Sequence, residues 1–95
     1  MELAFTDEAI DDLEFIHHFL LELDVINHQA IVENIIIAAN KLLVFPRIGV
    51  PVQHAETLDL MRDYFYEKYV LRYLITDTHI FILRIWHQKE NERNE

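Results

Sequence analysis

Residues 69–90 read YVLRYLITDTHIFILRIWHQKE, and the fold turns on this stretch. Two runs rich in β-branched and aromatic residues, YVLRYLI over 69–75 and IFILRIW over 80–86, flank the polar turn Thr76-Asp77-Thr78-His79. That is the pattern of an antiparallel hairpin. A register pairing Val70 with Trp86, Arg72 with Arg84 and Leu74 with Ile82 leaves Tyr69, Leu71, Tyr73, Ile75, Phe81, Leu83 and Ile85 on the other face. One face is then continuously apolar and both arginines lie opposite it. A slip by one residue splits the arginines and spoils the apolar face. Such a face needs a second layer to cover it.

That layer lies upstream. The only glycine, Gly49, and both prolines, Pro46 and Pro51, fall in FPRIGVP at 45–51. This punctuation separates a half with helical periodicity from a half with strand periodicity. Thr6 before Asp7 and Glu8 reads as an N-cap with acids in the first turn. Ala9, Ile10, Leu13, Ile16, Leu20 and Leu23 recur at three- and four-residue spacing, with Phe15 and Phe19 on the flank, which predicts a helix over 7–23. A second helix is expected over 27–44, capped by Asn27 and stopped before Pro46. Its apolar stripe is wide, running through Ile31, Ile35, Ala38 and Leu42 with Val32, Ile36, Ala39 and Leu43 beside them. The short link between the two makes an antiparallel αα-hairpin. Alternation of Leu3 and Phe5 predicts a first strand over 2–6. Residues 58–66 read either as a half-buried strand or as an irregular approach to one. The expected fold is α+β in one domain over 1–95: an N-terminal strand, an αα-hairpin, then an antiparallel sheet packed on the helices, with antiparallel strands at 2–6, 69–75 and 79–87.

Composition narrows the function. With 95 residues, 52% hydrophobic and 26% charged, the chain is an ordinary soluble globular domain. The absence of cysteine excludes a disulfide scaffold, a thiolate nucleophile and a cysteine zinc site. The opening MELAFTDEAI lacks the basic region of a signal peptide and no apolar run reaches 18 residues, so a cytoplasmic protein is expected. The net charge of −9 is uneven: residues 1–40 hold nine acids and no Lys or Arg, while 41–95 hold eight of each sign. An acidic front half repels phosphate backbones, so nonspecific nucleic-acid binding is not expected.

Two adjacent arginines on a sheet face repel one another unless an anion intervenes. One reading pairs Arg72 and Arg84 with Asp63, Glu67 or an acidic helix end. The other makes Arg72, Arg84 and Trp86, with Arg62 nearby, a binding surface, since arginine and tryptophan typify interface hot spots. Six histidines (His17, His18, His28, His54, His79, His87) suggest no metal site, because adjacent His17 and His18 point about 100° apart on a helix. One glycine cannot build a phosphate-cradling loop, and Asp11 with Asp12 are first-turn helix acids. No cofactor is expected.

Taken in order, these elements resemble the RelE/ParE superfamily of toxins from type II toxin–antitoxin modules. The resemblance rests on the short first strand, the helix-ending FPRIG, the YxLxY strand and the closing ILRIWHQKE. It implies a sheet packed on a helical hairpin with its other face open, and one of two activities. RelE-like members cleave mRNA on the ribosome with a basic cluster and a terminal Tyr or His. ParE-like members bind and inhibit DNA gyrase. Val70 and Glu90 stand where the RelE-like pattern has basic residues, and no tyrosine follows Trp86. The resemblance therefore implies a ParE-like gyrase inhibitor neutralised by a ParD-like antitoxin. The alternatives are a ribosome-dependent endonuclease, with Arg62, Arg72 and Arg84 holding phosphate and His87 as general acid, or a non-toxic member that only binds antitoxin.

Ile35-Ile36-Ile37 cannot all face one core, so Ile37 and Val44 are expected exposed on the outer edge of the second helix. An amphipathic antitoxin helix is the expected cover, with basic residues drawn to Asp11, Glu14, Glu22 or Glu33. A homodimer burying the same edge is the alternative.

Overall fold

The computed structural model describes residues 1–53 and 60–90. Its elements are β1 (Glu2–Phe5), α1 (Asp7–Glu22), α2 (His28–Asn40), a 3-10 turn (Lys41–Leu43), β2 (Val50–Pro51), β3 (Met61–Tyr66), β4 (Tyr69–Ile75) and β5 (His79–His87). Thr6 caps α1 as expected, its hydroxyl oxygen accepting from the Ala9 N–H at 3.1 Å. The same hydroxyl lies 2.9 Å from the Leu83 carbonyl, which ties the start of α1 to β5. Asp24 closes the first helix in left-handed backbone, with φ at 57°. The second helix is α-helical only to Asn40, and the remainder expected to reach 44 tightens into the 3-10 turn. Between 58 and 66, strand β3 occupies Met61–Tyr66, and residues 58 and 59 lie outside the described residues.

The five strands run in the order β1-β5-β4-β3-β2. All neighbours are antiparallel except β1, which pairs parallel to β5 from Glu2 opposite His79 to Phe5 opposite Ile82. The expectation of an antiparallel β1 is thereby corrected. Parallel neighbours need a long crossover, and the helical hairpin with the β2–β4 strands supplies one.

The hairpin register also departs from expectation halfway along. Val70 faces Trp86 and Arg72 faces Arg84, but the next pair is Tyr73 with Ile82, and Leu74 faces Phe81 rather than Ile82. Leu83 is the extra residue of a β-bulge, which reverses the face of every β5 residue before it. The core therefore receives Ile80, Ile82 and Ile85, each 0% exposed, along with Leu71 and Tyr73. Phe81 and Leu83, expected to face the helices, are half-buried outside that core. The helices contribute Ala9, Ile16 and Leu20 from α1 and Ile35 and Ala39 from α2.

Candidate functional site

Each arginine singled out by the sequence is committed within the fold. Asp63 of β3 stands opposite Arg72 and accepts a bidentate pair, Nε to Oδ1 at 2.8 Å and Nη2 to Oδ2 at 2.9 Å. The Arg72 guanidinium also lies 5.2 Å from the Trp86 ring centroid. Asp12, 3% exposed on the first turns of α1, accepts from Arg84 Nε at 2.9 Å and Nη2 at 3.1 Å, and from the Ile85 N–H at 2.8 Å. Asp12 thus also closes the edge of β5 beyond the end of β1. Arg62 donates to the carbonyls of Arg47 at 3.1 Å and Gly49 at 2.6 Å. The carboxylate pairing expected in one reading is what the structure holds, through Asp63 and a helical acid. Trp86, which the other reading placed on a binding surface, is buried with the Arg72 guanidinium over its ring. Arg62 and Arg72 lie opposite Tyr73 and Asp63 respectively, and since side chains of adjacent positions alternate, they sit on different sheet faces.

At the far end of β5, His87 Nδ1 accepts from the Lys89 N–H at 3.0 Å, which leaves Nε2 to carry the proton in the neutral ring. Its ring meets Tyr69 edge-on at 5.3 Å. Burial raises the Tyr69 pKa above the ordinary tyrosine value, and the charge of Glu90 adds to the rise.

An apolar groove of about 820 Å³ opens beside this end. Phe15, Phe19 and Leu23 of the first helical segment form one wall, Ile16 and Ile35 the floor, and Tyr66 with Tyr69 the other wall. The rings of Phe15 and Phe19 are stacked 6.3 Å apart and half exposed. The helix buries Ala9, Ile16 and Leu20 on the sheet, and its apolar stripe is wider than the sheet can cover. The flank left outside is a contiguous exposed patch of the kind that partner proteins cover. The sequence had placed both phenylalanines on the flank without making them a site; the excess width of the stripe was the available signal.

A second apolar surface follows the 3-10 turn. Val44, Phe45, Ile48 and Val50 are 70%, 60%, 49% and 54% exposed. Beneath them, the Tyr73 hydroxyl donates to the Pro46 carbonyl at 2.7 Å and accepts from the Gly49 N–H at 3.0 Å. Burial raises the Tyr73 pKa, and the Gly49 N–H and the charges of Arg62 and Arg47 oppose that rise. A Cβ on Gly49 would lie 2.7 Å from the Asp63 carbonyl oxygen, so only glycine fits here. Ile37, expected on the outer edge of α2, is 59% exposed.

Among the described residues no three His, Cys, Asp or Glu side chains group to hold a metal ion, and His54 lies outside them. His17 Nε2 and His28 Nδ1 are instead hydrogen-bonded to each other at 3.0 Å, pinning α1 to α2. No helix is long and apolar enough to cross a membrane among the described residues.

The family model described as the ParE toxin of the type II toxin–antitoxin system parDE matches residues 3–92. Among solved structures, the chain is similar to one from the chromosomal ParDE toxin–antitoxin system of P. aeruginosa. The TM-score is 0.74 at 21% identity, over 92% of this chain and 95% of that one, a likeness of fold. No curated protein matches the sequence.

Proposed function

Because the chain belongs to the ParE toxin family of type II toxin–antitoxin systems, we propose that it acts in the cytoplasm by binding and inhibiting DNA gyrase, and that a ParD-like antitoxin neutralises it. The engagement of Arg62, Arg72 and Arg84 carries this choice over mRNA cleavage. A ribonuclease must take the 2′-hydroxyl proton and offer cations to the phosphorane. Here Arg72 and Arg84 meet carboxylates, the half-buried Asp63 and the buried Asp12, Arg62 holds a loop, and Arg62 and Arg72 lie on different faces. In this reading Arg72, Arg84 and Trp86 shape the binding surface from beneath rather than touching the partner with free side chains. Binding alone then does the work.

The groove suits an amphipathic antitoxin helix laid across Phe15, Phe19 and Leu23, with Ile37 and Val44 offering further apolar contacts on the hairpin. Asp11, Glu14 and Glu22 of α1 favour basic residues along its edge and hasten encounter at low salt. The tests are a gyrase supercoiling assay beside an mRNA integrity assay, and an affinity measurement against the product of the adjacent reading frame. Supercoiling should fall with mRNA intact, and the antitoxin should restore it. Phe19→Glu, at a half-exposed site, should leave the melting temperature nearly unchanged and weaken antitoxin binding by about 100-fold. Ribosome-dependent mRNA cleavage with gyrase unaffected would refute the binding reading.

A further inference from the structure

We infer that the Tyr69 hydroxyl, with His87 Nε2 beside it, is a point of polar recognition inside the apolar groove, which selects an antitoxin helix carrying an Asn or Gln side chain among its apolar anchors. This rests on the antitoxin reading of the groove and names the side chain that the groove requires.

Two tyrosines of β4 point to the helix side of the sheet, and the fold engages the hydroxyl of only one. Tyr73 is fully buried, and its hydroxyl holds the Pro46 carbonyl and the Gly49 N–H. Tyr69 is 9% exposed and lines the groove, but among the described residues its hydroxyl has no hydrogen-bond partner. No fully enclosed side-chain nitrogen or oxygen among those residues lacks one. The Tyr69 ring is therefore buried while its oxygen ends at the groove, where water reaches it. His87 stands opposite Tyr69 in the register, so both side chains leave the same face of the sheet, and their rings meet edge-on. The Lys89 N–H occupies its Nδ1, which leaves Nε2 a donor. An occupant seated against Phe15, Phe19 and Leu23 strips water from this point and must replace the lost hydrogen bond. A wholly apolar helix cannot replace it and is disfavoured.

Charge narrows what the replacement can be. The lining includes Glu67 and Glu90 as well as Lys68 and Lys89, so its formal charges cancel and favour neither sign of partner. A carboxylate or an ammonium group would lose its hydration there without a net opposite charge to offset the loss. An uncharged amide meets both needs. Its carbonyl oxygen accepts from Tyr69 and His87, while Glu90 and Asn34, which also line the groove, offer acceptors for its NH2. Burial and the charge of Glu90 keep the Tyr69 phenol protonated and so a donor.

Tyr69→Phe removes one oxygen and keeps the ring. The full chain, as wild type, Tyr69→Phe and Phe19→Glu, is measured for affinity to the product of the adjacent reading frame, for melting temperature and for sedimentation. In that product, each polar residue of the groove-binding helix is replaced by Leu in turn and paired with Tyr69→Phe in a double-mutant cycle. Tyr69→Phe should weaken binding by about 3–10-fold. The melting temperature of the free chain should stay within about 3 °C, because no bond within the fold is lost. One Asn or Gln should matter against the wild type and cease to matter against Tyr69→Phe. Unchanged affinity in Tyr69→Phe, with Phe19→Glu still weakening it, overturns the polar contact alone. Coupling to an acid or a base, or to no residue of the helix, overturns the amide assignment. A clear fall in melting temperature shows that the chain itself uses the hydroxyl and overturns the inference, as does wild-type self-association that Tyr69→Phe abolishes. Affinity untouched by both Phe19→Glu and Tyr69→Phe overturns the groove reading and this inference together.

Discussion

Replacing Asp12 by alanine tests whether Arg84 is a structural cation. The carboxylate is 3% exposed and accepts from Arg84 Nε and Nη2 and from the Ile85 N–H. Its removal orphans that N–H at the edge of β5, which costs about 1–3 kcal/mol. Breaking a fully buried ion pair costs about 3–5 kcal/mol. The Arg84 side chain is 29% exposed, so water recovers part of that loss and about 1–2 kcal/mol remains. Together the substitution should destabilise by about 3 kcal/mol, a large share of the roughly 5–15 kcal/mol that holds a small domain. The melting temperature should fall by roughly 12–24 °C. Asp12→Asn keeps one acceptor and should cost about half as much. Urea unfolding followed by circular dichroism gives both values, and a double-mutant cycle with Arg84→Met should show coupling of about 1–2 kcal/mol. Asp12→Ala within about 1 kcal/mol of wild type would refute the assignment, because Arg84 would then be holding nothing.

Tyr73→Phe should cost about 2–3 kcal/mol, since the Gly49 N–H and the Pro46 carbonyl lose their shared partner; chemical denaturation reads it directly. The raised pKa values of Tyr73 and Tyr69 favour the folded state with both rings protonated. Their contribution is complete below the ordinary value of 10.0 and is lost as pH climbs from there through the folded values. Melting curves across that range should decline, and less steeply in Tyr73→Phe. Gly49→Ala should cost about 1–3 kcal/mol and raise proteolysis near 45–51, because the clash is with the Asp63 backbone rather than a movable side chain. Unchanged stability in the alanine variant would show that the loop is not pinned there.

Local pattern was enough for much of this molecule. The Thr6 cap, the helix periodicities, the break at FPRIGVP and the pairing of Arg72 with Arg84 are each set by residues within a few positions, or by a turn of fixed length. The face of β5 was not legible, because residues 80–83 are Ile, Phe, Ile and Leu, and an unbroken apolar run looks alike in either phase. Only packing against α1 and α2 selects Ile80 and Ile82 for the core and makes Leu83 the bulge. Alternation in 2–6 states which side chains share a face but says nothing of strand direction, so the parallel pairing of β1 waited on the fold. The arginines show the same boundary. Their charge is written in the sequence, but Asp12 stands 72 positions before Arg84, and no local rule says that this acid, in the second turn of α1 and not the first, will meet it. Which groups are free to bind a partner is set by such long-range neutralisation and by which apolar flank the second layer fails to cover, and both depend on distances that exist only once the chain is folded.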